Sequence, residues 1–169
     1  MYRHAHRVST TTNMKTATVT EIKKELTHQS SKELIALCLR LSKFKKENKE
    51  LLTYLLFETN ESDYIIAVKE DITQQFNEIN TSSYYFIKKS VRKILRLTKK
   101  HIRYTQNKET EIELLLYFCE ELKNMRPSMT KNVSLQNIFD RQILLIKKAI
   151  TKLHKDLQYD YNLELEELI

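Results

Sequence analysis

The sequence predicts an all-α fold, and three of its features lead to that prediction. The 169 residues include no glycine and one proline, Pro127, whereas hairpin turns and phosphate-cradling loops are normally built around glycine. Apolar residues recur every three or four positions along most of the chain, which is the period of an amphipathic helix. Short connections rich in Asn, Ser and Thr separate these segments. We expect an irregular bundle of roughly six to seven helices in three helical hairpins, with a short α-solenoid as the alternative.

The first third of the chain predicts a short amphipathic turn followed by two helices. The turn covers residues 19–28. Ser30 and Glu33 have the spacing of a capping box, which opens a helix that ends near Phe44. Asn48 is the expected cap of the next helix. Because that helix is apolar on almost all sides, we expect it at the centre of the core; its apolar residues are Leu51, Leu52, Tyr54, Leu55, Leu56 and Phe57.

The rest of the chain predicts four further helices. The apolar residues of each fall at helical spacing, so each should bury one stripe. Pro127 lies in the loop that ends the third of them. The predicted starts are Ser62 or Asp63, Ser82 or Ser83, Thr110 and Ser134, and the three hairpins cover roughly residues 30–58, 62–104 and 109–157.

The hairpins define one predicted helical domain, residues 19–158, with a different segment on either side. Residues 1–18 are polar and contain no acid, so we expect them to be disordered, and Met14 is a second possible start of the chain. Residues 159–169 are expected to form an acidic C-terminal tail. No stretch resembles a signal peptide or a membrane span, which predicts a cytoplasmic protein.

The most informative feature of the sequence is a set of basic residues on one helix. Between Ile79 and Lys108 there are nine Lys or Arg residues and no acid. The charge of this segment alone is therefore larger than the net charge of the whole chain, which is +7. At about 100° per residue, eight of these cations fall within an arc of about 140° on the helix over residues 84–104. We call these eight the basic stripe: Lys88, Lys89, Arg92, Lys93, Arg96, Lys99, Lys100 and Arg103.

We expect the basic stripe to bind an anionic partner. Its three arginines project within about 40° of one another, and guanidinium groups suit bidentate contacts with carboxylate or phosphate. Tyr85 projects into the same arc, where it can stack on an exposed base or cover the rim of the core. Like-charged pairs four residues apart oppose this helix by about 1 to 2.5 kcal/mol at low salt, so an acid should neutralise them.

That acid belongs either to the chain itself or to a partner. Within the chain, the next helix carries Glu109, Glu113, Glu120 and Glu121, and the acidic tail could also fold against the basic stripe. If the acid is external, the sequence predicts a binding protein whose basic stripe docks an acidic protein. The alternative is sequence-independent binding of nucleic-acid phosphates by the same surface. A membrane surface is disfavoured, because the apolar residues opposite the basic stripe are needed as core.

No catalytic or metal-binding motif stands out in the sequence. Nucleotide-binding loops that require glycine are excluded by composition. Cys38 and Cys119 lie on apolar helix faces, where each is expected to act as a small buried hydrophobe. We therefore expect a non-enzymatic protein without a cofactor or a metal ion.

Several short runs of the chain resemble a known type of protein. Together with Tyr64, these runs resemble small all-helical bacterial proteins of an uncharacterised family, classed as a domain of unknown function: Glu33-Leu34-Ile35, Asn48-Lys49-Glu50-Leu51-Leu52 and Lys88-Lys89-Ser90-Val91-Arg92-Lys93-Ile94. The resemblance extends over roughly residues 20–158. It implies an all-helical fold and a bacterial setting, and it implies no activity or site.

Overall fold

The computed structural model describes residues 16–169, so most of the predicted disordered segment lies outside the described residues. That part of the chain contains eight α-helices, one 3-10 turn and no strand, which confirms the predicted all-α bundle. The chain divides into two compact units, one ending at Glu50 and one running from Leu51 to Ile169. The helices are α1 (Val19–Leu26), α2 (Ser31–Phe44), α3 (Lys46–Phe57), α4 (Glu61–Asn77), α5 (Tyr84–Thr105), α6 (Lys108–Asn124), α7 (Val133–Ile150) and α8 (Lys155–Leu168).

The first unit begins with two helices that both carry complete capping boxes. Ser30 caps α2 through its hydroxyl, and the Glu33 carboxylate accepts the Ser30 backbone N–H at 2.8 Å. Thr18 and Glu21 repeat this arrangement at the start of α1. Each box satisfies two backbone donors that a helix start would otherwise leave free. The capping box predicted at Ser30 is therefore confirmed.

The third helix differs from its prediction in two respects. It begins at Lys46, so Asn48 lies inside the helix instead of capping it, and its Nδ2 donates to the carbonyl of Leu41 at 2.9 Å. The apolar run was expected at the centre of the core, but no residue of α3 is buried, and Phe57 is 72% exposed. The expectation of a central α3 is wrong.

The central helix of the second unit is α6. It contacts α4, α5, α7 and α8, and a helix that is apolar over most of its circumference is stable only when neighbours cover it on several sides. Its buried residues are Thr110, Ile112, Leu114, Leu115, Leu116, Phe118, Cys119 and Leu122. The apolar faces of the surrounding helices complete one continuous core around it.

Three helices of the second unit start earlier than predicted because asparagine caps them: Asn60 caps α4, Asn107 caps α6 and Asn132 caps α7. The Asn60 side chain accepts the backbone N–H of Ser62 at 3.0 Å, and the Asn132 side chain accepts that of Ser134 at 3.1 Å. The predicted caps Ser62 and Ser134 therefore lie inside α4 and α7, where their backbone N–H groups are the donors. An Asn at the cap position is as favourable as Ser, so sequence pattern alone does not separate them.

Replacing Asn132 with alanine is expected to lower the free energy of unfolding by about 1 kcal/mol. Its Oδ1 accepts two backbone N–H groups, those of Ser134 and Leu135, and both would lose their partner. Ser83 offers a matched control, because it caps α5 without a side-chain hydrogen bond and its replacement by alanine should change stability much less. Urea unfolding of both variants is the measurement. Equal losses would contradict the assigned cap.

The C-terminal residues form a docked helix, which differs from the acidic tail expected over residues 159–169. They belong to α8, whose Leu165 and Leu168 are buried against the core. Lys123 of α6 donates from its Nζ to the carbonyl of Leu168 at 2.5 Å, which holds the end of the helix. The many acids of this segment lie on the solvent side of α8. The apolar residues between them recur at helical spacing and form a stripe on the opposite side.

Candidate anion-binding surface

The basic helix α5 is held on the second unit by its apolar side. Ile87 and Val91 are fully buried and Ile94 nearly so, and α5 packs against α4 and α6. The predicted separation of an apolar face from a basic face is therefore present, and the basic stripe lies opposite the core. Because those apolar side chains are in the core, they are not displayed for insertion into a lipid surface. Over residues 16–169, none of the helices has the length and apolar character needed to cross a membrane.

The predicted site residues all lie on α5, but they differ in exposure. Most of them are exposed, and three lysines are half-buried. The exposed residues are Tyr85, Lys89, Arg92, Lys93, Arg96 and Arg103, and the half-buried residues are Lys88, Lys99 and Lys100. The three arginines are thus all presented to solvent on one rigid helix.

An aromatic pair lies at the N-terminal end of the basic stripe. Tyr85 is 66% exposed, and its ring meets that of Phe86 edge-on with the ring centroids 5.3 Å apart. Phe86 is also exposed and was not a predicted site residue. Three consecutive aromatic residues, from Tyr84 to Phe86, are the sequence signal that could have identified it, since a helix cannot bury three neighbours on one face.

Two lysines of the basic stripe interact with other side chains of the protein. Burial lowers the pKa of Lys99, while the nearby Glu111 acts in the opposite direction and favours the charged form. Lys100 places its Nζ 5.9 Å from the centre of the Tyr104 ring, within the range of a cation–π contact. These two lysines therefore interact with the protein itself, whereas the three arginines are exposed to solvent.

The acids of α6 form no ion pairs with the cations of the basic stripe. Glu113 bonds through Oε1 to Lys69 Nζ of α4 at 2.6 Å, and Glu121 accepts the hydroxyl of Thr73 at 2.9 Å. Glu111 pairs with Lys108 on its own helix. Within residues 16–169, every stripe cation other than Lys100 lacks an ion pair with an acid. The charge concentrated on α5 is therefore not compensated by direct contacts there.

A mainly acidic cleft of about 370 Å³ lies on the other side of α6, between α4, α6 and α8. Its two lysines are already engaged, Lys69 by Glu113 and Lys123 by the carbonyl of Leu168. Burial raises the pKa of Glu164 on α8, and the neighbouring Glu113 raises it further. The second unit is thus basic on α5 and acidic on the side that carries α8.

Within residues 16–169, histidines and carboxylates form no metal centre. No group of three or more His, Cys, Asp or Glu side chains in the described part of the chain is arranged to hold a metal ion. His101 is half-buried, and its Nδ1 lies 2.7 Å from the Tyr64 hydroxyl. Glu25 and His28 are spaced three apart at the end of α1, but both are exposed. None of these groups adjoins the exposed arginines.

The two cysteines have opposite environments. Cys119 on α6 is fully buried, and burial raises its pKa to about 12 although Lys99 acts to lower it. Its predicted role as a small buried hydrophobe is confirmed. Cys38 on α2 is exposed, so the same prediction is wrong for it. The reason is that α1 and α2 bury none of their side chains.

Comparison with known proteins yields no match to a family model, to a curated protein or to a solved structure. This result agrees with the resemblance to an uncharacterised family of small all-helical proteins. It contributes no ligand and no active-site residue. The kind of partner that the chain binds must therefore be inferred from the geometry and charge of α5.

Proposed function

We propose that this is a non-enzymatic helical binding protein that docks an acidic protein partner on the basic stripe. The observation that carries the proposal is that the cations of α5 are displayed on a rigid helix without ion pairs to acids of the described chain, Lys100 aside. An acidic partner would relieve the repulsion of about 1 to 2.5 kcal/mol between like charges on this helix.

The composition of the exposed surface suits a protein partner. Arginine and tyrosine are enriched at the energetically dominant positions of protein interfaces, and this surface combines Arg92, Arg96 and Arg103 with exposed Tyr85 and Phe86. A carboxylate can accept two hydrogen bonds from one guanidinium, which fixes orientation as well as attraction. Long-range attraction between the opposite charges would also accelerate encounter.

Nucleic acid is the second candidate, and Tyr85 is the observation that favours it. An exposed aromatic ring beside cations can stack on an unpaired base while the cations contact phosphates. Helix α5 contains no Asn or Gln, the side chains that hydrogen-bond to the edge of adenine. Such binding would therefore be largely independent of sequence.

The test compares two variants with the same change of charge. The stripe variant carries R92E, R96E and R103E, and the control variant carries three Lys-to-Glu changes at exposed positions at and beyond the end of α7: K147E, K148E and K152E. Both lower the net charge from +7 by the same amount. The probes are a labelled polyglutamate peptide and a labelled single-stranded RNA of the same length.

We expect polyglutamate binding to weaken at least about tenfold in the stripe variant, because each lost charge-assisted contact contributes about 1.5 to 3 kcal/mol. The control variant should bind within about twofold of the native chain, since rim charges mainly affect the encounter rate. Fluorescence anisotropy at low and high salt measures both probes. Similar losses in the two variants would mean that overall charge is responsible and would refute the proposed surface. RNA binding far tighter than polyglutamate binding, and lost in the stripe variant, would favour nucleic acid.

A further inference from the structure

The C-terminal helix α8 presents a surface that is complementary to the basic stripe. Its only cation is Lys155, and its apolar side, with Leu165 and Leu168, is buried. The opposite side exposes four acids to solvent. We call them the acidic face: Asp156, Asp160, Glu166 and Glu167.

The basic stripe and the acidic face are similar in length and in angular spread. At a rise of about 1.5 Å per residue, the basic stripe extends about 22 Å along α5, and the acidic face extends about 16 Å along α8. Asp156, Asp160 and Glu167 project within about 40° of one another, which is also the spread of the three arginines of the basic stripe. Both surfaces are therefore straight rows on rigid helices, so several charges can align at once.

Exposed apolar side chains accompany the charges on both surfaces. Tyr159 and Leu163 are exposed and project from the same arc of α8 as the acidic face, as Tyr85 does on α5. Surface ion pairs alone contribute little, typically about 0 to 1 kcal/mol each. Aromatic and aliphatic contacts would add the buried apolar area that a stable interface needs.

The basic stripe and the acidic face are not paired within one molecule. α5 packs on α4 and α6, whereas α8 packs on α6 and α7, and each is fixed by its buried apolar side. No ion pair joins the two surfaces within residues 16–169, and the Asp156 carboxylate lies 3.4 Å from the ring of His154, the residue that precedes α8. Two surfaces that point away from a shared core can meet only between molecules.

We propose that the acidic partner of the basic stripe is the acidic face of a second copy of this chain, so that the protein associates with itself through α5 and α8. This inference rests on the proposed function and names its partner. Every copy carries one basic and one acidic surface, so each copy both offers and accepts the contact. Because the two surfaces point away from each other, the contact is head-to-tail, and a pair of copies leaves one surface of each kind free for a further copy.

Sedimentation of the native chain, the stripe variant and a face variant tests the proposal. The face variant carries D156K, D160K and E167K, and Glu164 is left unchanged because it projects outside the 40° arc of these three residues. We expect the native chain to exceed its monomer mass of 20.3 kDa at low salt and to dissociate at high salt, where charges are screened. Each variant alone should remain monomeric, because the three substituted positions at the centre of one surface then carry the same sign as the centre of the other.

Mixing the two variants is the decisive step. The three carboxylates introduced at the centre of α5 in the stripe variant meet the three lysines introduced on α8 of the face variant. The remaining pair of surfaces keeps its native signs, so an equimolar mixture should regain the native mass. Circular dichroism shows that each variant is folded before mixing. A native chain that stays monomeric at low salt, or folded variants that remain monomeric when mixed, would overturn the self-association.

The polyglutamate probe separates the failure of this inference from the failure of the proposed function. The face variant keeps its basic stripe, so it should bind polyglutamate at least as well as the native chain does. If the native chain is monomeric yet binds the probe through the basic stripe, only the self-association is wrong. If the stripe variant binds the probe as tightly as the native chain, the proposed function is wrong as well.

Discussion

Replacing Phe118 with alanine is expected to lower the free energy of unfolding by about 3 to 5 kcal/mol. Phe118 is fully buried in α6, the helix around which the second unit packs, and its ring lies 5.6 Å from that of Phe76 on α4, measured between centroids. Alanine would remove the apolar area of the ring and its contact with Phe76 and leave a cavity. Small domains have only about 5 to 15 kcal/mol of stability, so this one change would remove a large part of it.

Urea unfolding followed by circular dichroism measures this effect. The matched control is Tyr85→Ala, which removes an aromatic ring of similar size from an exposed position and should cost about 0.5 kcal/mol or less. If Phe118→Ala is too unstable to give a folded baseline, Phe118→Leu retains most of the volume and should give a smaller, measurable loss. A loss below about 1 kcal/mol for Phe118→Ala would show that the ring is not packed as described.

Features determined by neighbouring residues could be predicted from the sequence. The capping box of Ser30 and Glu33 depends on side chains three positions apart, and it is present. The helix predicted over residues 84–104 is observed as Tyr84–Thr105, because its apolar residues recur at helical spacing along its whole length. In a chain without glycine, Gln106 ends this helix in the left-handed conformation, with a φ of 52°.

The choice of the central helix could not be predicted in the same way. Both α3 and α6 contain apolar runs, Leu51–Phe57 in one and Leu114–Leu116 in the other, and periodicity treats them alike. Burial depends on which neighbours present complementary surfaces, and that is decided by contacts between distant parts of the chain. α8 shows the same limitation, because its acids suggested a solvated tail while Leu165 and Leu168 dock it on the core.

The candidate surface could likewise be predicted only in part. Helical angles placed the basic stripe correctly on one side of α5, since that needs only the sequence of one helix. They did not show where the neighbouring acids would point. Glu113 turns to Lys69 of α4, and this pairing follows from the packing of α4 against α6. Within residues 16–169, most of the basic stripe therefore lacks ion pairs because of how the helices pack. This lack of ion pairs is the physical basis of the binding proposal.

Cys119 is expected to react with iodoacetamide at least about 1000-fold more slowly than Cys38 at pH 8. The thiolate is the reactive form, and burial raises the pKa of Cys119 from 9.0 to about 12, which lowers its thiolate fraction by about 1000-fold at that pH. The reagent must also reach the centre of α6, which requires unfolding of the most protected part of the unit. Cys38 is exposed on α2, so the reagent can reach it without any unfolding.

Mass spectrometry of timed alkylation reactions measures the two rates separately. In Cys38→Ser only the buried thiol remains, so the folded protein should stay unlabelled while the same protein in denaturant reacts promptly. Raising the pH from 8 to 10 should increase the Cys119 rate by about 100-fold, because its pKa lies near 12 and its thiolate fraction therefore rises about tenfold per pH unit. Labelling of folded Cys119 at a rate near that of Cys38 would mean that α6 opens readily. In that event α6 could not hold α5 and α8 in the fixed positions that the binding and self-association proposals both require.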